Sequence, residues 1–297
     1  MTTAAAIRPL DGALPKALLL IALGGALTGF SPILARVSEV GPFSTAAWRM
    51  AFAALALAPL LADSREKSPH ARKGASTWPL LLAGLFFAVD LGFYHWALKL
   101  TSVAHATLIV NMAPVVALAA GVMVFAERLG RLKLAGLILS VAGALLMTTG
   151  RAGVSGTLEG NALAVAGMFG YAFYLIAVKR ARGLHDTAVI MVWSSASAAV
   201  LLFVAAALAG EAIIPHSAYA WGVVIAMGLV THVAGQGLVA LGMRDAPVGL
   251  ASIVLFTQPV MAALAAWVVF GETMGAAELC GVALVLGGIT LATRSRM

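Results

Sequence analysis

AHATLIVNMAPVVALAAGVMVFAERLGRLKLAGLILSVAG, residues Ala104–Gly143, returns 145 positions later as GLASIVLFTQPVMAALAAWVVFGETMGAAELCGVALVLGG, residues Gly249–Gly288. The two align without a gap, with 13 identities in 40 positions. Apolar segments match by chance at Ala and Val, so the weight falls on the spaced residues. Pro114 meets Pro259, Glu127 meets Glu272, Gly136 meets Gly281 and Gly143 meets Gly288. An ungapped Pro–Glu–Gly–Gly spacing reads as an internal duplication.

Composition places the duplication in a membrane. The chain is 62% hydrophobic and 10% charged, with a mean hydropathy of +1.00. Soluble domains carry about 25% charged residues, and a soluble chain this apolar would expose large aggregating patches. The fold class is therefore an all-α polytopic membrane protein. The single cysteine, Cys280, excludes an internal disulfide framework and a Cys-rich metal site. The net charge of +7 does not point to nucleic acid, because the basic residues cluster at the ends of apolar runs. That placement suits lipid headgroups and sets topology.

A spanning helix needs roughly 20 mostly apolar residues. Ten segments qualify: Ala17–Val37, Phe43–Ala62, Trp78–Leu98, Val103–Phe125, Leu132–Gly150, Leu158–Val178, Thr187–Ala209, Tyr219–Leu241, Pro247–Phe270 and Ala276–Thr293. Apart from the polar stretch Asp63–Thr77 the connections are short, and no soluble domain fits between helices. Residues 1–16 form a short polar N-terminal segment without the marks of a cleaved signal peptide. With Arg49 set aside inside the second helix, 15 Lys and Arg fall on the N-terminal side of the membrane and 3 on the other. The positive-inside rule then puts both termini in the cytoplasm.

Ten helices divide into residues 17–150 and 151–297, five each. Five is odd, so the fourth helix and its copy, the ninth, cross in opposite directions. The two halves are expected to be inverted repeats, a transporter arrangement with its substrate site near the midplane between them. The same offset pairs Trp48 with Trp193, which extends the duplication beyond the opening stretch.

Ten helices, cytoplasmic termini and two copies of P-x12-E-x8-G-x6-G resemble the drug/metabolite transporter superfamily in its EamA-type branch. Pro32 in the first helix and Arg49 in the second also match the first half-repeat of that family. The second half departs from it: Ser194 stands opposite Arg49, and no proline lies in the sixth helix. Within the family the chain looks most like the bacterial exporters of aromatic amino acids. The resemblance implies export from the cytoplasm across the bacterial inner membrane.

Polar groups at mid-depth are costly in lipid unless they face a cavity or a partner helix. Asp90 lies near the middle of the third helix, with Tyr94 four residues on and His95 and Trp96 following. It is a candidate proton-coupling group or acceptor for a substrate ammonium. A neutral Asp bonded to a neighbouring helix is the bland alternative. His232 and Gln236, four apart in the eighth helix, bracket the position equivalent to Asp90. Asn111 beside Pro114 and Gln258 beside Pro259 mark candidate cavity residues next to candidate hinges. Proline removes a backbone donor and frees the carbonyl four residues earlier. Pro32 is the third candidate hinge. Tyr171 and Tyr174, in the middle of the sixth helix, suit a cavity wall for an aromatic or apolar cargo.

Other residues read as structural. Arg49 is expected to snorkel outward more readily than to attract a carboxylate. Trp48 and Trp193 are read as interface or packing residues. Trp78, Tyr219 and Trp221 open helices as belt anchors. Glu127 and Glu272 are expected to hold the tight loops that follow them.

No catalytic constellation, nucleotide loop or metal-ligand spacing is present, so an enzyme, a metal or a cofactor is not expected. A channel would need a continuous polar pore, and a sugar-phosphate carrier would want several mid-depth Lys or Arg. The expected partners are a small-molecule substrate, the bilayer and, if transport is coupled, protons.

Overall fold

The computed structural model describes residues 13–61, 76–101, 103–125, 130–149, 157–271 and 275–294. Among these residues every regular element is helical. Glu127, Glu272, residues 1–12 and most of the Asp63–Thr77 connection lie outside them, as do the roles expected there.

Among the described residues, seven helices are long and apolar enough to cross a membrane: Ala13–Arg36, Trp78–Leu100, Leu158–Arg182, Thr187–Leu208, Ala218–Gly242, Val248–Phe270 and Ala276–Arg294. Ala113–Val124 is a shorter apolar helix. Pro42–Leu57 and Arg131–Thr149 are helices of 16 and 19 residues. Large aliphatic residues cover the outside: Leu158 is 88% exposed, Leu208 85% and Val268 75%. The polar residues are inside, with Arg49, Asp90, His95, Ser195, His232 and Gln236 all buried. This distribution is what a hydrocarbon solvent demands, because unpaired polar atoms facing lipid would go unsatisfied.

Local sequence sets the helix ends. Pro42 and Pro79 stand in the first turns of their helices, where a missing N–H costs nothing. Thr157 and Ser217 are N-caps, their hydroxyls accepting from the backbone N–H of Gly160 at 3.1 Å and Ala220 at 2.9 Å. Gly271 closes the Thr257–Phe270 helix in the left-handed region at φ 65°, which glycine enters without a Cβ penalty. Lys179 Nζ donates to the carbonyls of Met243 and Ala246, each at 2.7 Å, and so neutralises the free C-terminal end of the Gly237–Gly242 helix.

Among the described residues, three spans are interrupted just ahead of a proline. The first breaks at Gly29–Phe30, between Ala13–Thr28 and Ser31–Arg36. Another breaks at Asn111–Met112, between Val103–Val110 and Ala113–Phe125. The third breaks at Leu255–Phe256, between Val248–Val254 and Thr257–Phe270. Each break lies two to four residues ahead of a proline, Pro32, Pro114 or Pro259. Proline cannot donate back into the preceding turn, so the ladder lapses there. The sixth span, which has no proline, runs unbroken from Leu158 to Ala181.

Two helix pairs frame the interior. Arg131–Thr149 packs on Ala276–Arg294 with Gly136 beside Gly288 and Gly143 beside Gly281, so the two run antiparallel. Trp78–Leu100 packs on Leu158–Ala181, also antiparallel, with Gly160 at Thr101 and Gly170 at Asp90. A Cβ on Gly170 would come within 2.6 Å of the Asp90 backbone nitrogen. Only glycine permits that approach, and it pins the height of Asp90.

Candidate functional site

Arg49, Asp90 and Tyr171 meet around a buried cavity of about 70 Å3. Arg49 sits seven residues into the Pro42–Leu57 helix, about 10 Å from its start at 1.5 Å per residue. It is 3% exposed, so the outward snorkelling expected from the sequence does not occur. Its guanidinium donates to Ser31 Oγ at 2.8 Å, across the break in the first span. The guanidinium carbon also lies 5.7 Å from the centre of the Phe87 ring, a cation–π contact.

Asp90 follows Phe87 by one turn and is 5% exposed. Its carboxylate takes part in no hydrogen bond or ion pair among the described residues. Arg49 is its charged neighbour across the cavity, coupled through the low-dielectric interior but not in contact.

The opposite wall comes from the second half of the chain. Tyr171 Oη accepts from Gln258 Nε2 at 2.9 Å and from Gln236 Nε2 at 3.3 Å. Both amides donate, so the phenolic proton of Tyr171 is used in neither bond. Gln236 ends a ten-residue π-helix, Met227–Gln236, within the eighth span. Such i→i+5 segments are uncommon and concentrate at functional sites. Tyr94 and Thr107 close the site from the first half, their hydroxyls 2.8 Å apart. Val110 and Asn111 line it beside the second helix break, and Pro32 and Pro259 line it beside the other two.

The candidate residues named from sequence therefore divide. Asp90, Tyr94, Asn111, Tyr171, Gln236 and Gln258 line the cavity together with Pro32 and Pro259. Tyr174 and His232 lie one layer behind it. Tyr174 stacks on Phe87 at 4.3 Å between ring centres, and the His232 ring lies 5.2 Å from the same residue. His232 Nε2 is bonded to Ser195 Oγ at 2.9 Å, an interhelical bond that uses the histidine as scaffold. His95 faces a separate recess of about 270 Å3 with Pro32 and Lys99, and its Nδ1 lies 3.0 Å from the Pro42 carbonyl oxygen. Pro114 is absent from the cavity lining.

Arg49, Ser31 and Thr107 line the cavity although the sequence reading did not place them there. The signal for Arg49 was its position, a lone basic residue well inside a span. Glu211 was also passed over. Its carboxylate accepts from the Ser44 N–H at 2.9 Å and the Phe43 N–H at 3.3 Å, capping the Pro42–Leu57 helix from a distant loop. Trp48 donates Nε1–H to the Ile213 carbonyl at 2.7 Å and packs edge-on against Trp221, which is half-buried there rather than free at the interface.

Comparison with known proteins supplies the frame for this geometry. One solved crystal structure superposes with a TM-score of 0.80 over 94% of this chain and 96% of its own, at 23% identity, a likeness of fold. An uncharacterized transporter of Archaeoglobus fulgidus is 28% identical over 220 residues, covering 72% of this chain and 76% of that protein. A WAT1-related chloroplastic protein of Arabidopsis thaliana is 32% identical over 91 residues, 31% of this chain and 22% of its own. The model of the EamA-like transporter family matches twice, over residues 15–149 and 158–294. Those two matches take in both walls of the cavity, and the chain is a multi-pass membrane protein that belongs to the EamA-like transporter family.

Proposed function

We propose that the chain exports small organic solutes, foremost amino acids with aromatic or other apolar side chains, from the cytoplasm across the bacterial inner membrane. Ten spans form two inverted five-helix halves that open alternately to either side, with both termini cytoplasmic. The observation that carries this reading is the cavity. It is lined by buried side chains from both halves, and pairs one guanidinium and one carboxyl group with three amide or hydroxyl side chains from the opposite wall. Buried polar groups of this kind inside a membrane mark a solute path.

The cavity's surroundings support the rest. At about 70 Å3 it is smaller than the roughly 300–1,000 Å3 of ligand pockets, which suits a contracted state between two open ones. Two of the helix breaks contribute Gly29 and Asn111 to its wall, and the third lies just ahead of the lining residues Gln258 and Pro259, so bending at these breaks is the motion that would widen it. Phe87, Leu91 and Val110 give it an apolar side. A single guanidinium faced by a carboxylate suits a cargo without large net charge better than a phosphorylated one. Asp90 is the group through which export could draw on a proton gradient.

The test is efflux from proteoliposomes loaded with a mixed amino-acid pool and read by mass spectrometry. Saturable loss of apolar amino acids above protein-free liposomes is expected. No loss of any amino acid would refute the cargo, and flux that never saturates would indicate a channel.

A further inference from the structure

We propose that Arg49 and Asp90 form a two-point site for a zwitterion, with Arg49 taking a carboxylate and Asp90 the ammonium of the same molecule. This rests on the amino-acid reading above and assigns its recognition to two side chains.

The two residues are 3% and 5% exposed and line the same cavity. Opposite charges so placed attract strongly, because little water screens them. Yet no ion pair joins them, and the carboxylate has no hydrogen-bond partner among the described residues. Arg49 is only partly satisfied, since Nε is buried without an acceptor. A buried charge left incompletely paired is expensive. The cost is understandable where a third group completes the pair.

The separation is built in. Arg49 is tethered to Ser31 at 2.8 Å and rests over Phe87, which Tyr174 and His232 hold in place. Asp90 is fixed by the close backbone contact at Gly170. These contacts set the place of the Arg49 guanidinium and of the Asp90 backbone.

The chemistry of the occupant follows. A lone cation would meet Asp90 but be repelled by Arg49. A lone anion would meet the reverse. A molecule carrying an ammonium and a carboxylate on one carbon satisfies both residues and adds no net charge to the cavity. Arg49 presents a planar donor set that matches a carboxylate. The Tyr171 hydroxyl lines the same cavity from the opposite wall. Phe87, Leu91 and Val110 remain for an apolar side chain.

The test uses the full chain in liposomes loaded with one of three pools. These are the twenty protein amino acids, the same compounds as carboxamides, and the same compounds as N-acetyl derivatives, each corrected by protein-free liposomes. Wild-type protein is expected to release the free amino acids at least ten-fold faster than either masked pool. Asp90→Asn should lose the preference over N-acetyl compounds, and Arg49→Gln the preference over carboxamides. Arg49→Lys should keep part of the latter, and gel filtration confirms which variants are folded. Equal release of free and masked pools by wild-type protein would overturn the two-point site while leaving amino-acid export standing. Release of no free amino acid would instead remove the cargo reading on which the site rests. The wild-type comparison decides the matter even where a variant fails to fold.

Discussion

Gly136 lies so close to Gly288 that a Cβ on the first would come within 2.5 Å of the carbonyl oxygen of the second. One helical stretch away, Gly143 meets the carbonyl of Gly281 at 2.6 Å by the same measure. In the duplication Gly136 corresponds to Gly281 and Gly143 to Gly288. Exchanging the two copies therefore turns one contact into the other. A twofold axis passing between two antiparallel helices has this effect, and it is the axis that inverted halves require. Gly136→Ala and Gly281→Ala should then destabilise the protein by similar amounts, about 1–3 kcal/mol from overpacking. Gly287→Ala, whose nearest neighbour would be a leucine methyl at 3.6 Å, should be neutral. Thermal unfolding in detergent measures all three, and unequal effects for the first two would argue against the symmetry.

Much of this was legible in the chain itself. The repeat, the apolar runs and the prolines act locally, so their spacing carries over into helices and helix breaks. Asp90 and Tyr171 were legible because a polar group at mid-span has few places to go. What escaped were contacts set by which helix faces which. Arg49 could be heard as a snorkelling residue because nothing local says that Ser31 stands opposite it. His232 and Tyr174 have the right depth for a cavity but the wrong rotation, since they back onto Phe87 from behind. Glu211 lies 167 residues from the Ser44 amide it caps, a pairing without a sequence signature.

Tyr171 is the joint of the second-half wall, accepting from Gln236 and Gln258 at once. Tyr171→Phe keeps the ring and removes the oxygen. Two amide donors are then unpaired beside the cavity, at about 1–3 kcal/mol for each buried group left unsatisfied. Export should slow ten-fold or more at a fixed cargo concentration, with the protein still monodisperse. Unchanged efflux kinetics would remove Tyr171 from the site.

Ser195 should behave in the opposite way. Its hydroxyl partners a fully buried His232 Nε2 behind the cavity wall. Ser195→Ala is expected to cost about 1–3 kcal/mol of stability by stranding that nitrogen. Efflux per folded molecule should stay near the wild-type rate, because neither residue reaches the cavity. A variant of normal stability but altered cargo preference would place His232 in the site after all.

Glu211 fastens the start of the Pro42–Leu57 helix, the helix that carries Arg49. It accepts from two backbone amides, and Lys99 lies 3.7 Å from it. A carboxylate at a helix N-terminus is favoured by both the unsatisfied N–H groups and the dipole. Glu211→Ala should lower stability by about 1–2 kcal/mol and raise hydrogen exchange at Phe43 and Ser44. Exchange unchanged at those amides would show that the loop does not hold the helix.

The orientation in the membrane can be fixed with two exposed residues. His216 precedes the Ala218–Ala226 helix and Asp245 follows the Gly237–Gly242 helix, so one span separates them. Lys and Arg are concentrated on the Asp245 side, with Arg244 adjacent and Lys179 and Arg182 nearby in space or sequence. The positive-inside rule therefore predicts Asp245 on the cytoplasmic side and His216 on the external side. With Cys280→Ala as the background, His216→Cys should react with a membrane-impermeant maleimide in intact cells. Asp245→Cys should react only after the cells are opened. The reverse pattern would invert the whole chain, make the proposed exporter face the other way, and require its basic surface to lie outside. Labelling of both from outside would instead break the alternation on which the ten-span arrangement depends.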